Sequence, residues 1–180
     1  TVEAIAKARE NGHYTFINSG RTLFNINKKV RSLGFDGIIC GCGTYIEMDG
    51  EVLLYNALSQ DFCRKIAEFI RTTGVTPVYE HKDGYFFDDF SPKTADLEDF
   101  LVTFVEENIP VDRRVEDAEF IFDKFVIWEN PDCDMVAAFQ KKRIEGKFMS
   151  FMKKGFYKCI NAASDTDFFQ GATYLKKKKT

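Results

Sequence analysis

The residues best suited to chemistry stand in one short run, Ile17-Asn18-Ser19-Gly20-Arg21. A hydroxyl, a glycine and a guanidinium in succession can make an anion site. Ser19 can donate to an oxyanion, Gly20 lets the backbone come close, and Arg21 adds a fork of donors. The ordinary alternative is that Ser19 caps the following helix and Arg21 is a surface residue. A second run, Cys40-Gly41-Cys42-Gly43-Thr44, has glycines that allow a tight turn beside the same sheet edge. That turn could equally do no more than start the hairpin after it.

Other chemistry is less well supported. The chain has no Gly-x-Ser-x-Gly elbow, Walker loop, Gly-x-Gly-x-x-Gly or His-Glu-x-x-His. His13 and His81 have no nucleophile near them in sequence and read as structural. The acidic pairs Asp88-Asp89 and Asp132/Asp134 could bind a metal, although turn and cap roles suit them better. Cysteines 40, 42, 63, 133 and 159 are odd in number. Cys40 and Cys42 are too close for the usual zinc pair, so reduced thiols in a cytoplasmic protein are expected.

These residues need elements to hold them. Val2, Ile5, Ala6 and Ala8 suit one face of a helix with Thr1 as cap and Asn11-Gly12 as stop. His13 to Asn18 reads as a strand. Leu23, Phe24, Ile26, Val30 and Leu33 recur at helical spacing up to Gly34, and Phe35 to Cys40 reads as the next strand. This pattern predicts an α/β layer with parallel strands, with Ser19 in the crevice beyond the first strand. A helix following at once would point its N-terminus at the same place. Thr44–Met48 and Glu51–Tyr55 flank Asp49-Gly50, a strong hairpin signal.

The character changes near 57–60, where Ser59 and Asp61 can cap a helix carrying Phe62, Ile66, Phe69 and Ile70. A hairpin around Lys82-Asp83-Gly84 should follow, then a helix face of Leu97, Phe100, Leu101, Phe104 and Val105. Phe120 to Trp128 reads as a strand, and a helix is expected from Pro131 to about Arg143. Short strands are expected at 148–152, 155–162 and 167–170. Single helices feeding strands, with hairpins between, suggest an α+β module with an open sheet.

Composition bounds these readings. With 180 residues, 44% hydrophobic and 29% charged, and with 19 phenylalanines, the chain has the material for a core, which excludes disorder as its general state. A net charge of −3 gives no general attraction to nucleic acid or anionic membrane. No apolar run suits a membrane span, and the first residues lack a signal-peptide pattern. The closing Lys176–Lys179 run reads as a solvated tail.

The order of motifs adds an identity. Residues Ala8 to Arg21 give a helix ending in Asn11-Gly12, a strand, and Ser19-Gly20-Arg21. Leu33-Gly34-Phe35-Asp36-Gly37-Ile38-Ile39 follows, then a small-residue turn and a hairpin tipped by Asp49-Gly50. This series resembles the Cof-type branch of the haloacid dehalogenase-like (HAD) hydrolases, magnesium-dependent phosphatases of small molecules. The resemblance implies a partial Rossmann-like core over 1–57 and an α/β cap of pattern αββ(αβαβ)αββ over 58–170. Residues 171–180 would return to the core or form a basic tail.

By the same resemblance, Ser19 holds the transferring phosphoryl group with Gly20, and Arg21 faces the substrate. Gly43 and Thr44 fall where the family has the end of an Asn-Gly-Ala turn, with Cys42 in the Asn place. Lys176 is the nearest candidate for the third-motif lysine. The family's Asp-x-Asp-Gly-Thr and Gly-Asp-x-x-Asn-Asp motifs do not occur. The nucleophile and the Mg²⁺ ligands are therefore expected outside this chain, which reads as part of a longer phosphatase. The expected activity is hydrolysis of a small phosphorylated metabolite through an aspartyl-phosphate, with the cap closing over the substrate. No nucleic-acid or membrane partner is expected. The alternative is a non-catalytic module that binds a phosphorylated ligand or a partner.

Overall fold

The computed structural model describes residues 2–91, 95–128, 150–154 and 157–161. The protein divides into two units between Asn56 and Ala57. Among the described residues no helix is long and apolar enough to cross a membrane. The architecture is α/β, as the sequence predicts.

In the first unit, helix α1 (Val2–Glu10) stops at Asn11-Gly12, and Gly12 takes a left-handed φ of 79°. Strand β1 (Phe16–Asn18) pairs in parallel with β2 (Gly37–Cys40). Strands β3 (Tyr45–Met48) and β4 (Glu51–Tyr55) continue the sheet antiparallel, in the order β1-β2-β3-β4. The turn between them has φ of 52° at Asp49 and 79° at Gly50, the left-handed pair that a two-residue hairpin of this twist requires. Strand β2 is buried at every residue, so both of its faces are covered. Ile26, Ile38, Cys40 and Tyr45 form the core of this unit, with Ile17, Leu23 and Tyr55 against them.

Asp36 ties the layer together. Its carboxylate accepts from Thr15 N at 2.7 Å, Thr15 Oγ1 at 2.9 Å and Arg9 Nε at 2.8 Å. The Thr15 backbone N–H, joined by the Thr15 hydroxyl and Arg9, holds this carboxyl below its usual range against the opposing effect of burial. One side chain thus joins α1, the approach to β1 and the start of β2.

The expected helix from Leu23 to Leu33 shrinks to α2, Lys28–Arg31. Asn25 N–H donates to Thr22 O at 3.0 Å, closing a turn, and the Asn27 side chain accepts from Lys29 N at 2.8 Å. The Asn27 side chain is thus the N-cap, and the helix starts only after it. The apolar residues before it serve the core from a turn, with Ile26 buried while Phe24 stays 37% exposed. The strand expected from His13 begins only at Phe16.

The second unit follows its pattern more closely. Helix α3 (Gln60–Arg71) is capped by Ser59, whose Oγ accepts from Phe62 N at 3.4 Å. It buries Phe62, Cys63, Ile66, Ala67 and Ile70, a stripe at helical spacing. Strands β5 (Thr76–His81), β6 (Gly84–Phe87), β7 (Lys124–Trp128), β8 (Ser150–Lys154) and β9 (Tyr157–Asn161) form an antiparallel sheet in the order β6-β5-β7-β9-β8. Helix α4 spans Ala95–Glu106.

Alternate residues of β5 and β6 enter different cores. Tyr79 and Phe86 join α3, Phe120, Phe122 and Phe125, whereas Val78, Tyr85 and Phe87 join Leu97 and Phe104 of α4. The two helices therefore cover opposite faces of this sheet. Val105, expected on the buried face of α4, is 67% exposed. Phe120 and Phe122 are buried from a loop, because β7 starts only at Lys124. The helix expected after Pro131, the strand at 167–170, the pair Asp132/Asp134 and Lys176 lie outside the described residues.

Candidate active site: an anion corner at the strand ends

The carboxyl ends of the parallel pair β1 and β2 bring the two sequence-predicted runs side by side. Ser19 N–H donates to Ile39 O at 2.9 Å, extending the ladder one residue past β1. The chain then turns at once: Ser19 Oγ accepts from Arg21 N at 3.1 Å. This is a serine turn, not a helix cap, and it corrects the expectation that a helix N-terminus follows Ser19 directly. Oγ is used as an acceptor there, so among the described residues its own proton is left for another acceptor. Gly20 and Arg21 are exposed, and among the described residues Arg21 Nη1 makes a long contact of 3.5 Å to Asn25 O.

The second run folds as a short 3₁₀ turn, Gly41–Gly43. Its residues all have left-handed backbones, with φ of 59° at Gly41, 58° at Cys42 and 94° at Gly43. Glycine accommodates this, and at Gly41 a Cβ would stand 2.2 Å from Thr44 Oγ1. Gly41 N–H donates to Arg21 O at 2.7 Å, and Cys42 Sγ lies 3.7 Å from Gly20 O. The two turns are thus bonded to each other. Thr44 is buried, with its hydroxyl donating to Gly41 O at 2.9 Å, so its side chain closes the turn.

The donors gathered here are a serine hydroxyl and a guanidinium, while the Cys42 thiol and the N–H groups of Ser19, Arg21 and Gly41 are engaged within the fold. That set suits an oxyanion and not a hard divalent cation, which takes oxygen ligands from carboxylates and carbonyls. Among the described residues no group of three or more His, Cys, Asp or Glu side chains could hold a metal ion. The described residues therefore do not fit the Mg²⁺ that the resemblance implies.

The other candidates fall elsewhere. His13 is exposed ahead of β1. His81 is buried in β5, and burial pushes its pKa down to about 4, with Asp83 opposing and Lys82 and Arg113 assisting. Asp88 takes a two-pronged ion pair from Arg71 at 2.8 and 2.9 Å, and Asp89 pairs with Arg114 at 2.9 Å. Sequence reading gave Cys42 no role of its own. Its position between two glycines was the available signal, since such a triplet permits a left-handed turn with one side chain on it.

A family profile described as haloacid dehalogenase-like hydrolase matches residues 1–169. The chain belongs to this family. No curated protein gives a significant match. Among solved structures, a hypothetical protein from Geobacillus kaustophilus superposes with a TM-score of 0.70 at 17% identity, covering 99% of this chain and 66% of that one. A sugar phosphatase of HAD subclass IIB gives 0.68 at 18% identity, covering 99% and 67%. A HAD phosphatase from Bacteroides thetaiotaomicron gives 0.70 at 18% identity, covering 99% and 64%. At these identities the likeness is one of fold. The chain spans about two-thirds of the length of these structures.

Proposed function

We propose that the protein is a phosphatase of small phosphorylated metabolites, and that Ser19, Gly20 and Arg21 hold the phosphoryl group during its transfer. The observation that carries this is the bonded pair of turns at the carboxyl ends of β1 and β2, in a chain of hydrolase family. Open α/β sheets bind ligands at that end of their strands. Ser19 donates to one phosphoryl oxygen, Gly20 keeps the approach clear of a side chain, and Arg21 lends positive charge from the rim.

The nucleophilic aspartate and the Mg²⁺ ligands would come from outside the described residues. When bound, Mg²⁺ would neutralise charge on the transferring group. Residues 1–57 would serve as core and 58–170 as cap, with sugar phosphates among the substrates to try because one structural relative is a sugar phosphatase.

The test is phosphate release by the full-length protein, with Mg²⁺, from a panel of sugar, nucleotide and cofactor phosphomonoesters. Turnover of at least one ester is expected, with kcat/KM lower by about tenfold or more in Ser19→Ala, the scale of one lost charge-assisted hydrogen bond. No release from any ester would refute the proposal. Phosphate binding without turnover would favour a non-catalytic binding module instead.

A further inference from the structure

We infer that Cys42 is a positioning residue for the phosphate-holding turn, acting on the Ser19 hydroxyl through the single peptide unit between Gly20 and Arg21. The inference rests on the reading of Ser19 as a phosphate donor. A trans peptide is a rigid plane with its C=O and N–H on opposite edges. Here both edges of one plane are held. The Gly20 carbonyl faces Cys42 Sγ at 3.7 Å, within reach of a thiol donor, and the Arg21 N–H donates to Ser19 Oγ at 3.1 Å. Turning that plane would withdraw the N–H from Ser19 and free the hydroxyl to rotate.

Other contacts narrow the choice further. The next carbonyl, that of Arg21, is held by Gly41 N–H at 2.7 Å, so the turn is restrained from the same neighbouring loop on two successive peptides. A Cβ on Gly20 would stand 3.2 Å from Cys42 Sγ, so the sulfur also packs against the α-carbon. To reach this place Cys42 takes φ 58° and ψ 32°, a backbone conformation that disfavours a side chain. Glycine would relieve that strain but could not touch Gly20. Strained backbone retained at a candidate site is an observation from which a functional hypothesis properly starts.

The thiol is a weak donor, so its effect is on orientation and should be modest. The test measures affinity for inorganic phosphate by calorimetry on the full-length protein, alongside melting temperature. Cys42→Gly should weaken phosphate about fivefold, the scale of one net hydrogen bond, while the melting temperature holds or rises. Cys42→Asn should stay within about twofold of the unsubstituted protein, because asparagine tolerates the left-handed region and carries an N–H donor. Cys42→Gly should cause no further loss in a Ser19→Ala background, since the effect passes through Ser19.

If Ser19→Ala weakens phosphate but Cys42→Gly does not, the inference fails and the phosphate-donor reading stands. An undiminished effect of Cys42→Gly in the Ser19→Ala background also overturns it. If Ser19→Ala leaves phosphate affinity unchanged, or the unsubstituted protein binds none, the reading and the inference fall together.

Discussion

Gly37 begins β2, and replacing it by alanine should disrupt the first unit more than the same change at the turn glycine Gly12 does. An ideal Cβ there would stand 2.3 Å from Phe16 Cε1, 2.8 Å from Phe16 Cδ1 and 2.4 Å from Glu47 O. The ring belongs to the neighbouring strand, opposite Gly37 in the ladder, and could swing aside. The Glu47 carbonyl is backbone of β3 and cannot, so β3 would have to part from β2 by about 1 Å to restore a normal contact. Overpacking of this kind costs about 1–3 kcal/mol, and loosening one ladder hydrogen bond adds about 1 kcal/mol. A loss of about 3 kcal/mol is therefore expected, or a fall of about 1.5 M in the urea midpoint for a slope of about 2 kcal/mol/M.

The control is Gly12→Ala. Nothing lies within 4 Å of a Cβ at Gly12, but its φ is +79°, so only the dihedral penalty of about 1 kcal/mol applies. Urea titration followed by circular dichroism, on both variants and the unsubstituted protein, makes the comparison. A Gly37→Ala midpoint shift no larger than that of Gly12→Ala would refute the reasoning, because steric conflict would then have been relieved without moving β3.

Two pH effects should accompany these. His81 is buried and its pKa falls from 6.5 to about 4, so the unfolded chain binds the extra proton first and stability is lost as pH drops through that window, by about 3 kcal/mol in all. Urea midpoints between pH 7.5 and 4 should show this slope, and His81→Gln should flatten it; an unchanged slope would show that His81 is not its source. Asp36 is the opposite kind of group: its carboxylate is favoured in the fold, so its contribution is present above the normal carboxylate range and lost as pH falls through its lowered value. Asp36→Asn should therefore lower the melting temperature at pH 7, with the gap to the unsubstituted protein closing towards pH 3; a constant gap would contradict the assignment.

What the sequence disclosed was what local chemistry decides. Asp49-Gly50 dictated its hairpin because few other residues take two left-handed dihedrals in a row. Ser59 and the stripe from Phe62 to Ile70 located α3, since capping and periodicity are read within one segment. The misreading of 23–33 has the same origin: apolar spacing suggested a helix, but the Asn27 side chain caps the backbone at Lys29, so the helix starts only after it. Phe120 and Phe122 looked like strand residues because burial in a loop and burial in a strand leave the same composition. Distant pairings were beyond reach. Arg71 joins Asp88 and Glu116, partners separated along the chain, and no local pattern announces them.

The candidate site divides along the same line. Ser19-Gly20-Arg21 stood out as a candidate anion turn from residue types alone, and the parallel pairing that places it was legible from the alternation of elements. The source of its electrostatics was not. With α2 only four residues long and starting at Lys28, a helix dipole adds little at Ser19, because partial charge at a terminus acts over about one turn and grows with aligned peptides. On the proposed reading, the attraction for an anion would come from the Arg21 charge and the Ser19 hydroxyl. A corner that relies on few donors is more sensitive to the orientation of each. That is why the Gly41-Cys42-Gly43 turn, strained at its middle residue and bonded to both Gly20 and Arg21, carries weight in this fold that its small size would not suggest.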